Sequence, residues 1–360
     1  MKRQKKVVLT VTGGIVFSVL YILFAGKPLE SGFQFNPQWT ISIAESELHE
    51  GQPPISEPGR LLPFKLGQTM GYFTPEGNLC NATVFPYKAM ISSHYYASFP
   101  ENAENTLFFT PAGEAAGVIM GSGFPYFEDD RVYLFHPGGA AFSRYGGKDG
   151  AILWTHEDYA PVLAFASSTR GSAAGFADGS IIVHTPEGKQ TTKIIPGGSA
   201  YPVILGVAIS ASGKRVASIS GLQKQRFVLT EIENDANKVL YHEYFETDSN
   251  EQGLVRFSSN DRMVYFTQPE KLTVLDCASY TTAAIPMKGR VLSIIESRAN
   301  NLVFVLTKES AVYSVYILEN YNMPAGSFSF TAAHGFIRTF ENALYIGKDD
   351  SISKLEISRN

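Results

Sequence analysis

The chain has 360 residues, of which 44% are hydrophobic and 18% charged, with 32 Gly, 25 Phe and 18 Tyr but only two Trp and two Cys. That apolar fraction excludes a disordered chain, and two cysteines exclude a disulfide scaffold. The net charge is −4, and 26 basic against 34 acidic residues remain once the extreme N-terminus is set aside, which argues against a nucleic-acid binder with a broad basic face.

Residues 1–6 carry Lys2, Arg3, Lys5 and Lys6, and an uncharged run follows over residues 7–26. Such a run spans a hydrocarbon core as a helix. It is longer than the apolar region of most signal peptides and ends without a clean cleavage site, so an uncleaved signal anchor is expected. The positive-inside rule then makes residues 1–6 a cytoplasmic tail and exports the rest. These features predict a single-pass protein of a bacterial inner membrane, held by the bilayer, with a periplasmic or extracellular body. Residues 27–60 hold one alternating strand, 39–44, and then a Pro/Gly-rich charged linker, 45–60. Cys80 and Cys277 read as buried, unpaired thiols in preference to a bridge.

The body, residues 61–360, repeats a short apolar strand, a turn and another strand. The turns include Thr74-Pro75-Glu76-Gly77, Thr110-Pro111-Ala112-Gly113, His136-Pro137-Gly138-Gly139 and Thr185-Pro186-Glu187-Gly188. Pro suits the second turn position because its φ is already set, and Gly suits the fourth. Equivalent strands start near 131, 172, 215, 262, 301 and 343, steps of 39 to 47 residues. One four-stranded antiparallel sheet fits in each step, which is the spacing of propeller blades. The expected fold is therefore all-β: a β-propeller of four-stranded antiparallel blades, seven in number with eight and six as alternatives, preceded by one N-terminal transmembrane helix. The last unit shows three strands, so either residues 39–44 or residues 67–85 must supply a fourth and close the ring.

Residues 141–154 end in Asp149-Gly150-Ala151-Ile152-Leu153-Trp154, which resembles a blade motif of the quinoprotein-like β-propellers. Leu275-Asp276-Cys277 is similar to the start of the same motif but lacks its Gly and Trp. The resemblance implies blades over most of residues 60–360. Its members include quinone-dependent dehydrogenases and non-catalytic scaffolds of the bacterial outer-membrane assembly machinery. With two Trp in the chain, the regular tryptophan docking of many members is not expected.

Chemistry-bearing motifs are sparse. No His pair has ligand spacing, the Asp129-Asp130 and Asp349-Asp350 doublets read as turn residues, and no nucleophile elbow or phosphate loop is present. No catalytic, cofactor-binding or metal residue is nominated, and no cofactor is assigned. Aromatic residues crowd 87–127, where His94, Tyr95, Tyr96 and Tyr126 are candidates for a rim or partner-binding patch. The acidic stretch 246–252 reads as an exposed loop. The expected function is a membrane-anchored extracytoplasmic protein-binding scaffold with envelope or membrane protein partners and no nucleic acid. The alternative is a quinoprotein-like oxidoreductase or hydrolase using the propeller channel.

Overall fold

A computed structural model describes residues 32–44, 60–233 and 236–359. Its strands form eight sheets, each the blade of a propeller. Blades 2 to 7 are consecutive four-stranded meanders over residues 88–120, 124–157, 162–194, 204–244, 255–286 and 290–331. Blade 8 combines three C-terminal strands, residues 335–359, with the N-terminal strand Phe33–Ser42. Blade 1 is a three-stranded sheet over residues 62–84. The count of seven is thus corrected to eight. The first blade escaped the period because its described part spans far fewer residues than a four-stranded unit.

Blade 1 is irregular for a definable reason. Arg60, just ahead of its first strand, pairs with Glu341 in the first hairpin of blade 8 at 3.9 Å. At the other end of that strand, Gly67 packs against the His334 ring, which lies in the connection entering blade 8. The strand therefore runs opposite to the innermost strand of blade 8. Its three strands take the outer positions, and the innermost position of blade 1 is unfilled among the described residues.

The expected turns close as their chemistry requires. Gly77, Gly113, Gly139 and Gly188 each donate to the carbonyl three residues back at 2.9, 2.9, 3.0 and 3.0 Å. Each has a positive φ, a conformation that glycine alone adopts without steric cost. The central strands of the blades are largely buried because both faces of a blade are covered by neighbours. Phe227 of blade 5 stacks on Phe266 of blade 6 at 3.9 Å, and the core is a series of such clusters between adjacent blades.

The N-terminal strand closes the ring. It runs antiparallel to Ser351–Arg359, pairing Phe33 with Arg359 and Ser42 with Ser351. A bulge between Pro37 and Trp39 shifts the register, and a one-residue slip turns side chains to the opposite face. Phe33 and Phe35 accordingly pack toward blade 7, while Trp39 and Ile41 pack toward blade 1. One strand seals two blade junctions.

Both tryptophans dock in the same way. Trp154, on the outer strand of blade 3, donates its indole N–H to the Pro186 carbonyl of blade 4 at 3.1 Å, and its cross-strand neighbour Arg144 donates to the same oxygen at 2.6 Å. Trp39 donates to the Pro75 carbonyl of blade 1 at 3.2 Å, and its neighbour Lys354 joins it at 3.1 Å. Each acceptor sits in a Thr-Pro-Glu-Gly turn. The tryptophan docking that two residues ruled out as a regular feature is present at two junctions.

The membrane reading is corrected. The described architecture is all-β, and among the described residues no helix is long and apolar enough to cross a membrane. The run 7–26 and most of the linker 45–60 lie outside the described residues. Attachment to a bilayer, the single-pass topology and the inner-membrane localisation therefore have no structural element among the described residues to carry them. Cys80 and Cys277 are both free and buried. Burial raises both thiols, that of Cys277 to about 11.

Candidate functional site

In blades 2 to 8 the chain runs from the innermost strand outward and then returns to the centre, so every connection between blades lies on one face of the disc. The four successive junctions from blade 1 to blade 5 each carry an exposed aromatic residue at this face: Tyr87, Tyr159 and Tyr201 in the connections, and Phe124 as the first residue of the strand that follows one. Local chemistry holds two of them outward. The Asp158 carboxylate accepts from the Tyr159 and Ala160 N–H groups at 2.6 and 3.3 Å, and the Ser199 hydroxyl accepts from the Tyr201 N–H at 3.1 Å.

The next connection is the acidic stretch expected as a loop. It is not loosely attached. Gln225, 1% exposed, uses its side-chain amide to donate to the Gly221 and Ser249 carbonyls at 3.3 and 3.1 Å and to accept from the Ser249 N–H at 3.2 Å. Asp248 accepts from the Lys224 and Gln225 N–H groups at 3.1 and 2.7 Å. Gln252 donates to the Leu163 carbonyl on the innermost strand of blade 4 at 2.6 Å, so the loop crosses blade 5 at the mouth of the channel. Together with the connection from blade 6 to blade 7 it walls a cavity of about 590 Å³, lined by Phe245, Leu254 and Met287 among polar and charged groups.

Gln225→Leu strands both backbone groups of Ser249 without partners, a cost of about 1–3 kcal/mol that opening of the loop relieves. Cleavage by a glutamate-specific protease at Glu246 or Glu251 is expected to accelerate by roughly tenfold. An unchanged cleavage rate would show that Gln225 does not hold the loop.

A second polar cluster is buried between blades 3 and 4. His184 and His156 approach at 3.1 Å, and the Trp154 ring stacks on His184 at 5.1 Å. The remaining ring nitrogens, His156 Nε2 and His184 Nδ1, are buried without hydrogen-bond partners. Burial lowers the pKa of both, that of His184 to about 4 with a contribution from His156. The two are 28 residues apart, so no spacing rule could pair them.

The residues singled out as a rim patch are not brought together as one surface. Tyr95 wedges between blades 2 and 3, edge-on to Phe108 at 5.3 Å. Tyr96 stacks on Phe109 at 5.4 Å beside Tyr72 of blade 1. Tyr126 sits on the innermost strand of blade 3 against Phe135 and Phe165. His94 is exposed in the first hairpin of blade 2, on the face away from the connections. Tyr87 and Phe124 in the same aromatic-rich region are the ones that reach the connection face. Among the described residues no three His, Cys, Asp or Glu side chains are placed to hold a metal ion.

Comparison with known proteins agrees with this architecture. A protein of Treponema pallidum (strain Nichols), described as uncharacterised, is 31% identical over 364 residues, covering 99% of this chain and 96% of its own length. Among solved structures, BamB from Moraxella catarrhalis matches with a TM-score of 0.60 at 10% identity, over 90% of this chain and 100% of BamB. A chain of the Mitotic Checkpoint Complex matches with a TM-score of 0.54 at 12% identity, over 92% and 98% of the two chains. The computationally designed Ika8 protein matches with a TM-score of 0.58 at 12% identity, over 86% and 100%. At these identities the structural matches show the fold alone. A family described as beta-propeller protein matches residues 1–360, and this chain belongs to that family.

Proposed function

We propose that the protein is an interaction scaffold whose protein partner docks on the connection face. The observation that carries this reading is the succession of exposed aromatics, Tyr87, Phe124, Tyr159 and Tyr201, at four adjacent blade junctions. Aromatic side chains left in water gain little from folding, yet they supply large contact area at low entropic cost when a partner covers them. The pinned acidic loop and its cavity continue the same face with polar groups. A surface of this kind suits a protein better than a small apolar ligand. The fold-level likeness to BamB agrees with a scaffold but does not identify the partner.

The test is site-specific photocrosslinking. A crosslinker at Tyr159 or Tyr201 is expected to trap one discrete partner in cells, and the same group at exposed Met323, which starts the outermost strand of blade 7 on the face away from the connections, is expected to trap none. Changing Tyr87, Phe124, Tyr159 and Tyr201 together to Ser is expected to abolish that adduct while leaving the melting temperature within a few degrees. Equal crosslinking from Met323, or an adduct that survives the quadruple change, would sink the reading.

A further inference from the structure

The cavity beside the acidic loop is lined by one side chain whose polarity the fold sets in advance. Gln268 ends the second strand of blade 6, Met263–Gln268, and is 7% exposed. Its amide nitrogen donates to the Glu243 carboxylate at 3.0 Å and to the Thr273 hydroxyl at 2.9 Å. The other Glu243 oxygen accepts from the Tyr241 hydroxyl at 2.7 Å. A carboxylate only accepts, so the amide cannot turn its own oxygen toward Glu243. Both amide hydrogens are committed, and Gln268 Oε1 has no hydrogen-bond partner among the described residues. A carbonyl held this way in a buried side chain is a fixed acceptor for an incoming N–H donor.

Two carboxylates line the same cavity. Glu251 belongs to the pinned loop and Glu270 to the turn that follows Gln268; both residues are exposed. Neither carboxylate takes a hydrogen bond or ion pair among the described residues. The lining also holds two cations. Lys271 is paired with Glu246 at 3.6 Å, which leaves the Arg290 guanidinium against two free carboxylates and one free carbonyl. The loop over residues 246–252 carries three acidic residues and no basic one, so it adds to the negative side. Acceptors and negative charge are therefore in excess. Phe245, Leu254 and Met287 supply apolar wall, along which the alkyl stem of a long cationic side chain can lie. At about 590 Å³ the cavity has room for such a side chain and part of the backbone that carries it.

We propose that this cavity is the specificity pocket of the connection face and takes a lysine or arginine side chain of the protein partner. Gln268 Oε1 accepts from the cationic head, and Glu251 and Glu270 balance its charge. The assignment rests on the reading of that face as a docking surface, and it names the chemistry the partner must bring there.

Titration of the full chain, labelled in its methionine methyl groups, with the peptides acetyl-Leu-Arg-Leu-amide and acetyl-Leu-Lys-Leu-amide tests the pocket without the partner. The Met287 methyl resonance, identified by its loss in Met287→Leu, is expected to shift saturably with at least one of the two. The same peptide with Gln or Glu at the centre is expected to bind at least tenfold more weakly. Gln268→Met keeps the side-chain length and removes the carbonyl, and roughly tenfold weaker binding is expected. The exposed pair Glu251→Gln/Glu270→Gln is expected to weaken binding by a similar factor with an unchanged melting temperature, and it decides the matter if the Gln268 variant does not fold. No saturable shift with either basic peptide, equal binding of the Gln peptide, or parent-like binding in the double glutamate variant would overturn the assignment. Each of those results leaves the crosslinking outcome at Tyr159 and Tyr201 untouched, so failure of the pocket and failure of the docking face are told apart.

Discussion

Deleting Phe33–Ser42 is expected to abolish cooperative unfolding, and Trp39→Ala alone to cost about 3 kcal/mol. The deletion removes the outer strand of blade 8 and leaves Ser351–Arg359 as an unpaired edge. Because of the bulge at Pro37–Trp39, it also opens two junctions. Phe35 leaves Phe304 and Phe328 of blade 7, at 6.1 and 6.3 Å, and Trp39 leaves Phe73 of blade 1, at 6.4 Å. An exposed edge beside exposed aromatic faces favours association with a second chain. Urea unfolding followed by tryptophan fluorescence and circular dichroism, with size-exclusion chromatography of the deletion, gives the readout. A deletion variant that stays monomeric with an unchanged midpoint would refute the closing role. For Trp39→Ala the loss combines packing with an indole hydrogen bond, and Lys354 still serves the Pro75 carbonyl. The cost therefore stays near the lower end for a large aromatic.

Acid destabilisation should come in part from the histidine pair between blades 3 and 4. His184 has its pKa lowered from 6.5 to about 4, so it is neutral in the folded protein where the unfolded chain already binds a proton. A depressed folded-state pKa gives stability that is complete above the unfolded value and is lost as the pH falls toward the folded value. Stability should therefore decline from about pH 6.5 to pH 4, by about 3 kcal/mol for this residue. His156 moves in the same direction: burial and Lys193 lower its pKa, and Asp158 opposes them. His184→Phe keeps a ring against Trp154 and Phe142 while removing the titration. The difference in urea midpoint between parent and variant is expected to change across pH 4–6.5 and to be flat from pH 7 to 8. Parallel pH profiles would show that His184 titrates normally in the folded protein.

Much of the blade structure is legible in the residue order. The Thr-Pro-x-Gly turns fold as written because Pro and Gly restrict local backbone geometry regardless of context. The step of 39 to 47 residues located the sheets from residue 124 onward because each blade is a local meander whose strands pair with sequence neighbours. Blade 1 broke the count. A three-stranded unit has no full period, and its role depends on contacts with blade 8, which lies at the other end of the chain.

The site was less legible. The aromatic crowding near residues 87–127 marked the right region, but exposure separates Tyr87 and Phe124 from Tyr95, Tyr96 and Tyr126, and exposure is a property of packing. Gln225 carried no signal, since one buried glutamine among turns looks like any polar loop residue until Ser249 is found beside it.

The sequence alone determined the local elements: an all-β chain, its turns, and a blade-length repeat, because these depend on backbone preference and short-range pairing. Tertiary structure decided the number of blades, the strand that closes them, and which aromatic and charged side chains meet. Those outcomes depend on contacts between residues up to the full length of the chain apart, where neither propensity nor spacing carries information.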